Sequence, residues 1–303
     1  MPPDAGSSDL SVSVVVCCRD RAELLEGALE AIGRSLRPND DGIVVDSASR
    51  DSSVSDVAKR AGMRVVRLEQ PGTSRARNAG AAASEASIVA YTDDDCLVPG
   101  NWTERLRQIF SERDTGFVTG AVVGDRDHAL PASLVIGGER RRLSTADDPF
   151  ALGAGSNMAF RKSVLTSAGG FDECLGPGAP LVAAEDVDLF WRLLRAEVNG
   201  LHEPSLSVTH RQWRTRTQSF GRHFDYGIGA GAFVAKAIRM GDANGWRILR
   251  RRLFRDGFGA AFRHLIKRQE HAALAELMVA LGVPVGAARA ARLTLRDGVF
   301  VPR

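Results

Sequence analysis

Three consecutive aspartates, Asp93-Asp94-Asp95, follow the apolar run that begins at Ile88. Acids crowded together repel one another unless something cationic compensates them. A hard divalent cation such as Mg2+ or Mn2+ takes one or two carboxylates together with phosphate oxygens. A solvated turn or a helix cap would use the same residue type, but an apolar strand directly in front of the cluster favours the metal reading. A second acidic group, Glu185-Asp186-Val187-Asp188, follows the Gly/Pro-rich loop 176–180 at a place where a helix should begin. Acids are stabilised at helix N-termini by the dipole alone; the chemical alternative is that one carboxylate is a general base. A third stretch, 71–80, carries Arg75 and Arg77 at a loop-to-helix junction. It suits an anionic ligand, or equally a surface helix capped by Thr73 or Ser74.

The elements around these residues read as an alternation. Residues 10–18 are β-branched and continuous, the mark of a strand buried on both faces. Arg19-Asp20-Arg21 ends it, and 22–36 carries Leu24, Leu25, Leu29 and Ile32 at helical spacing. Strands are expected at 42–46, 63–68, 88–92, 117–123 and 206–210, with 154–160 beside 117–123. Helices are expected at 52–61, 75–84, 101–110 and 186–195. This rhythm predicts an α/β fold with a doubly wound, mostly parallel sheet flanked by helices. In such sheets ligands gather at the carboxyl ends of strands, where Asp46 and the three aspartates both fall. The texture changes near 215, after which Gly227, Gly229 and Gly231 are closely spaced and the chain is Arg-rich and helical.

A hydrophobic share of 44% and a charged share of 25% in 303 residues describe a globular chain able to bury a large core. The net charge of +3 is unevenly placed: residues 247–303 hold twelve Lys/Arg against four Asp/Glu, leaving the remainder acidic. A basic tail suits an anionic surface, or is a solvated helical face. The segment 246–255 interleaves apolar and basic groups, and Phe258, Phe262, Leu265 and Ile266 continue its apolar side, as a helix lying in an anionic membrane interface would. The four cysteines lack metal-type spacing, so reduced thiols are expected. The start of the chain is unlike a signal peptide. The charge-free run 277–288 is short and contains Pro284, so a cytoplasmic location is expected, with peripheral contact on the inner face of the plasma membrane as its extension.

Taken in order, VVVCCRDR, IVVDSASRDSS, GTSRARNAG, YTDDDCLVPGNW, GAGSNMAFRKSVL, GGFDECLGPG, AEDVDLFWRLL and HEPSLSVTH resemble the family 2 glycosyltransferases over residues 10–215. The resemblance implies a GT-A fold for 10–215, behind a disordered stretch 1–9 and ahead of a C-terminal helical extension, basic, at 216–303. It implies an inverting enzyme that moves a sugar from a nucleotide-diphosphate sugar (UDP-, GDP- or dTDP-linked) to an acceptor hydroxyl on a carbohydrate or lipid-linked molecule, in cell-envelope polysaccharide, glycolipid or related glycan synthesis. On this pattern Cys17, Cys18, Arg19, Asp46 and Arg77 would meet the nucleotide. Asp93 and Asp95 would be the DxD acids, with Asp94 between them, holding the ribose edge and a divalent Mg2+ or Mn2+. Asp186, with Glu185 beside it, would be the catalytic base. Asn157 and 170–172 would shape the donor and acceptor side, and His210 stands where some GT-A enzymes offer a metal ligand. Cys17-Cys18-Arg19-Asp20-Arg21 and Asp46-Ser47-Ala48-Ser49 depart from the family's usual wording, so the base bound is open.

Two rivals are weaker. A nucleotidyltransferase would carry a Gly-rich basic loop after the first strand, which 17–23 lacks. Nucleic-acid binding would rest on the tail alone and is not expected. Neither GxxxxGK[ST] nor GxGxxG follows the first strand, which argues against a P-loop NTPase and a dinucleotide-dependent dehydrogenase.

Overall fold

The computed structural model describes residues 10–112, 114–125, 135, 138–211 and 216–301, with backbone alone for 216–219. The expectation for 1–9 lies outside them. The chain divides into two compact units. A sheet unit holds the chain up to Phe171 together with Leu189–Gln212; a helical unit holds Asp172–Asp188 and Trp213–Arg303.

The sheet unit is α/β. Its first half alternates β1 (Val12–Cys18), α1 (Ala22–Ser35), β2 (Asp41–Ser47), α2 (Ser53–Arg60), β3 (Arg64–Leu68), α3 (Thr73–Ala83) and β4 (Ile88–Asp93). Then come β5 (Cys96–Leu97), α4 (Trp102–Phe110), β6 (Phe117–Gly124), β7 (Arg141–Leu143), β8 (Asn157–Arg161), α5 (Lys162–Ser167), α6 (Glu185–Arg195) and β9 (Gly200–His210). The strand order is β3-β2-β1-β4-β8-β6-β9-β5, with β7 also on β9. Strands β3, β2, β1 and β4 are parallel, as are β6 and β9. Strand β8 runs antiparallel between β4 and β6.

Period-two alternation splits the core in two. Val12, Val14, Val16 and Cys18 of β1 pack with α1, α2 and α4 on one face. Val15 and Cys17 look the other way, toward Ala76 of α3, Leu165 of α5 and Leu189 and Phe190 of α6. Gly80 lets α3 lie directly on the sheet: a Cβ there would collide with Val15. The result is a doubly wound sheet with helices on both faces.

The helical unit contains α7 (Arg216–Arg239), α8 (Gly245–Arg250), a π-helical stretch Arg251–Phe258, α9 (Gly259–Ile266), α10 (Glu270–Ala291) and the hairpin β10 (Thr294–Arg296) and β11 (Val299–Val301). Helices α7 and α10 touch backbone to backbone. A Cβ at Gly231 would strike the Val283 carbonyl, and one at Gly286 would strike that of Ile228. Gly227 and Gly231 thus serve close packing of α7 on α10, whereas Gly229 lies against the backbone of Ala183. One expectation is corrected: α10, with 22 residues and a mean hydropathy of 1.5 over its best window, is long and apolar enough to cross a membrane. The helix extends past both ends of the charge-free run, and only 28% of that window is buried.

Candidate nucleotide and metal site

Strand β4 delivers the aspartates to the carboxyl end of the parallel strands. The two-residue β5 then pairs antiparallel with the end of β9, Cys96 opposite His210. That register sets His210 Nε2 3.5 Å from Asp95 Oδ1, both groups nearly fully buried. The Arg211 amide donates to the Asp95 carbonyl (2.8 Å), fixing the junction. Donor atoms of Asp95, Cys96 and His210 all lie within 4.8 Å of one another. Burial, with Asp93 and Asp95 nearby, pushes the Cys96 thiol well up, so it stays protonated. A hard cation such as Mg2+ or Mn2+ favours oxygen and imidazole donors over sulfur, so the Asp95 carboxylate and the His210 imidazole are the donor pair that suits it. An oxygen and an imidazole nitrogen at this separation fit a divalent cation such as Mn2+.

Asp93 and Asp94 face opposite fates. The Asp93 side chain is 37% exposed and its Oδ1 lies 3.4 Å from Arg77 Nη2. Arg77, on α3, is itself buried; it donates to the Gly155 carbonyl (3.2 Å) and its guanidinium stands over the Phe171 ring at 5.5 Å. Gly155 leaves room for that guanidinium: a Cβ would meet Arg77 Nη2 at 2.6 Å and push it aside. Asp94 is fully buried, with Arg21 Nη2 2.7 Å from its Oδ1. Burial pushes Asp94 up to about 7; Arg21 opposes the shift and Asp95 adds to it. Arg21 also reaches Asp95 at 3.6 Å. The repulsion that argued for an external cation is therefore met in part from within, by Arg21 and Arg77.

The remaining expected nucleotide contacts divide. Cys17 is half-buried, while Cys18 is buried on the other face of β1, so alternation prevents both from lining one site. Burial and the adjacent Asp94 hold the Cys18 thiol protonated. Arg19 is half-exposed beside Asp20 (3.8 Å). Asp46 has no exposure, because its carboxylate accepts from the Ser49 amide (2.9 Å), Ser55 and Arg67. It shapes the turn after β2, where Ala48 has a φ of +60°, and does not present itself to a ligand. Asn157 is also fully buried, donating to the carbonyls of Ala121 (2.8 Å) and Leu206 (2.6 Å) and holding β8 to its neighbours.

In the helical unit, Glu185 and Asp186 open α6, Glu185 buried and Asp186 partly so. The approach is strained: Val182 and Ala184 have φ of +53° and +69°, conformations that L residues, and β-branched ones above all, rarely adopt. Two residues past Asp186, Asp188 pairs with Lys236 of α7 at 2.7 Å, and Lys236 pairs with Asp172 at 2.5 Å, all three without exposure. Asp172 further accepts from the amides of Cys174 (2.9 Å) and Phe300 (2.7 Å).

Arg21 and Lys236 are the residues the sequence reading missed. A lone Lys within the apolar run 230–238 is itself a signal, since a buried ammonium demands carboxylate partners. Arg21, at the end of the apolar run of β1, carries no such signal in the sequence.

The family model described as "Glycosyl transferase family 2" matches residues 13–168. A pre-mycofactocin glycosyltransferase of Mycobacterium tuberculosis is 30% identical over 236 residues, 72% of this chain and 48% of that protein. A glucosyl-dolichyl phosphate glucuronosyltransferase of Haloferax volcanii is 25% identical over 69% of this chain and 72% of its own length. Among solved structures, the mannosyltransferase PcManGT of Pyrobaculum calidifontis, in complex with GDP-Man and Mn2+, superposes with a TM-score of 0.58 at 20% identity, covering 94% of this chain and 76% of that one. TarS 1-349 of S. aureus gives 0.58 at 13% identity over 91% and 92%. The architecture defines a GT-A fold. The chain belongs to glycosyl transferase family 2, and it spans about half the length of its Mycobacterium tuberculosis relative.

Proposed function

We propose that the protein is an inverting, metal-dependent glycosyltransferase that moves a sugar from a nucleoside-diphosphate donor to an acceptor hydroxyl. The observation that carries the reading is the pairing of Asp95 with His210, beside Asp93 and Arg77, at the carboxyl ends of the parallel strands. Asp95 and His210 would hold a divalent cation, Mg2+ or Mn2+, with Asp93 of the same DxD motif toward the ribose and metal. That cation would supply Lewis-acid stabilisation of the charge growing on the departing diphosphate. Arg77, held by Gly155 and Phe171, contributes a fixed positive charge toward the same anion. Cys17 and Arg19, at the mouth of β1, remain the candidates for the base.

Asp186, at the start of α6, is proposed as the base that takes the proton from the acceptor hydroxyl as its oxygen attacks the anomeric carbon, with Glu185 in support. Attack opposite the leaving group inverts the anomeric configuration. The donor nucleotide is uridine, guanosine or thymidine diphosphate, and the relative bound to GDP-Man and Mn2+ makes guanosine the first to test. The acceptor is a carbohydrate or a lipid-linked molecule, and the place of action is the cytoplasm, with peripheral contact on the inner face of the plasma membrane.

Incubating the protein with a panel of nucleotide sugars, Mn2+ and carbohydrate or lipid-linked acceptors bearing a free hydroxyl tests the reading. Release of one nucleoside diphosphate, abolished by a chelator, is expected. Binding of all donors without release, or release that ignores the chelator, would contradict it.

A further inference from the structure

The exposed large apolar side chains among the described residues all lie at Tyr226 or beyond, in the helical unit; the sheet unit shows none. Six of them, Trp246, Phe254, Phe258, Phe262, Leu265 and Ile266, are between 45% and 67% exposed on the single helical run 245–266. Phe254, Phe258, Phe262 and Ile266 recur at four-residue spacing and so share a face. The opposite face is anchored: Ile248, Gly257, Ala260 and Ala261 are buried, and a Cβ at Gly257 would press on Ala280 of α10 at 2.7 Å. The apolar row is therefore the outward side of a helix whose inward side is already packed.

The charge around the row has one sign. Residues 245–269 contain eight Lys/Arg and a single acid, Asp256. That acid is occupied by Arg251 (3.1 Å), Arg255 (3.6 Å) and Arg252 (3.8 Å). Arg247, Arg250, Arg263 and Lys267 are exposed beside the aromatics. A face that offers aromatic and aliphatic groups between cations matches one surface chemistry, an anionic headgroup layer over hydrocarbon. Nucleic acid would satisfy the arginines and stack on phenylalanine, but it has nothing to give Leu265 and Ile266.

We propose that the 245–266 face docks in the interface of a bilayer containing anionic lipid, with Phe254, Phe258 and Phe262 entering the acyl boundary and the flanking arginines on the headgroups. The docking is interfacial and does not require α10 to cross the membrane: the Gly231 and Gly286 contacts pack that helix against α7. It rests on, and deepens, the peripheral membrane contact proposed above, while it is independent of the transferase reaction.

Full-length protein would be sedimented with phosphatidylcholine vesicles, with or without phosphatidylserine, in the absence of any sugar nucleotide. Binding stronger by about tenfold or more on the anionic vesicles, and reversed by salt, is expected. The variant Phe254→Gln/Phe258→Gln/Phe262→Gln should lose that binding and unfold at an unchanged temperature, because the three rings are exposed. Trp246 fluorescence, isolated by difference against Trp246→Phe, should shift to the blue on anionic vesicles. Failure of the wild type to bind, equal binding to neutral vesicles, retention by the triple variant, or release by detergent but not by salt would each overturn the proposal. So would a dimer in lipid-free solution that the triple variant abolishes, or short DNA displacing the protein from vesicles.

Discussion

Single side chains carry the chemistry, and the aspartate cluster shows how differently three neighbours are used. Asp94 is buried against Arg21 and sits at about 7, far above the usual carboxylate range of about 3.9 it regains on unfolding. The folded state then holds a proton that the unfolded state has lost, so the contribution of Asp94 to stability is full at low pH and falls as pH rises between about 4 and about 7. Urea unfolding in a chelator across that window should show the decline, and Asp94→Asn should lack it; identical profiles would contradict the assignment. Asp186→Asn should bind the donor unchanged and lower turnover by about 10² to 10⁴. Wild-type turnover in that variant would remove Asp186 from the role of base.

Secondary-structure elements place those side chains, and two packing devices can be tested at this scale. Lys236 of α7 bridges Asp172 and Asp188, so Lys236→Met would leave two buried carboxylates without a cation. A loss of about 3–5 kcal/mol in chemical denaturation is expected; a loss under about 1 kcal/mol would mean that relaxation or water replaces the lysine. Gly286→Ala forces a methyl group onto the Ile228 carbonyl of α7, with an expected cost of about 1–3 kcal/mol. Most elements were legible in the sequence because burial imposes period. The β-branched run of β1 and the 3.6-residue spacing in α1 each admit one reading. Strand β5 was not legible: two residues carry no period, and its existence depends on His210 arriving opposite Cys96 from far along the chain. The same holds for the start of β9, predicted at 206 and found at Gly200, and for α10, which continues past its charge-free segment. Residue type marked Asp93, Asp95 and Arg77 as site candidates, and the family resemblance added His210. Neither could reveal that Asp46 and Asn157 turn inward, since that follows from hydrogen bonds to Arg67, Ala121 and Leu206 made by the tertiary fold.

Across the whole molecule, charge is segregated: residues 247–303 carry a net +8 and the remainder is acidic, although the chain as a whole is only +3. A small net charge thus conceals a basic segment suited to an anionic surface and an acidic body whose clustered carboxylates suit a cation. The central claim is that Asp95 and His210 hold a divalent ion against a nucleoside diphosphate. Calorimetric titration of GDP, UDP and dTDP into the protein, with and without Mn2+, tests it most directly when repeated on Asp95→Ala and His210→Ala. The claim predicts that one nucleotide binds the wild type more tightly by about tenfold or more when Mn2+ is present, and that both substitutions abolish that gain. Equal affinity with and without Mn2+, or a gain that survives both substitutions, would contradict it.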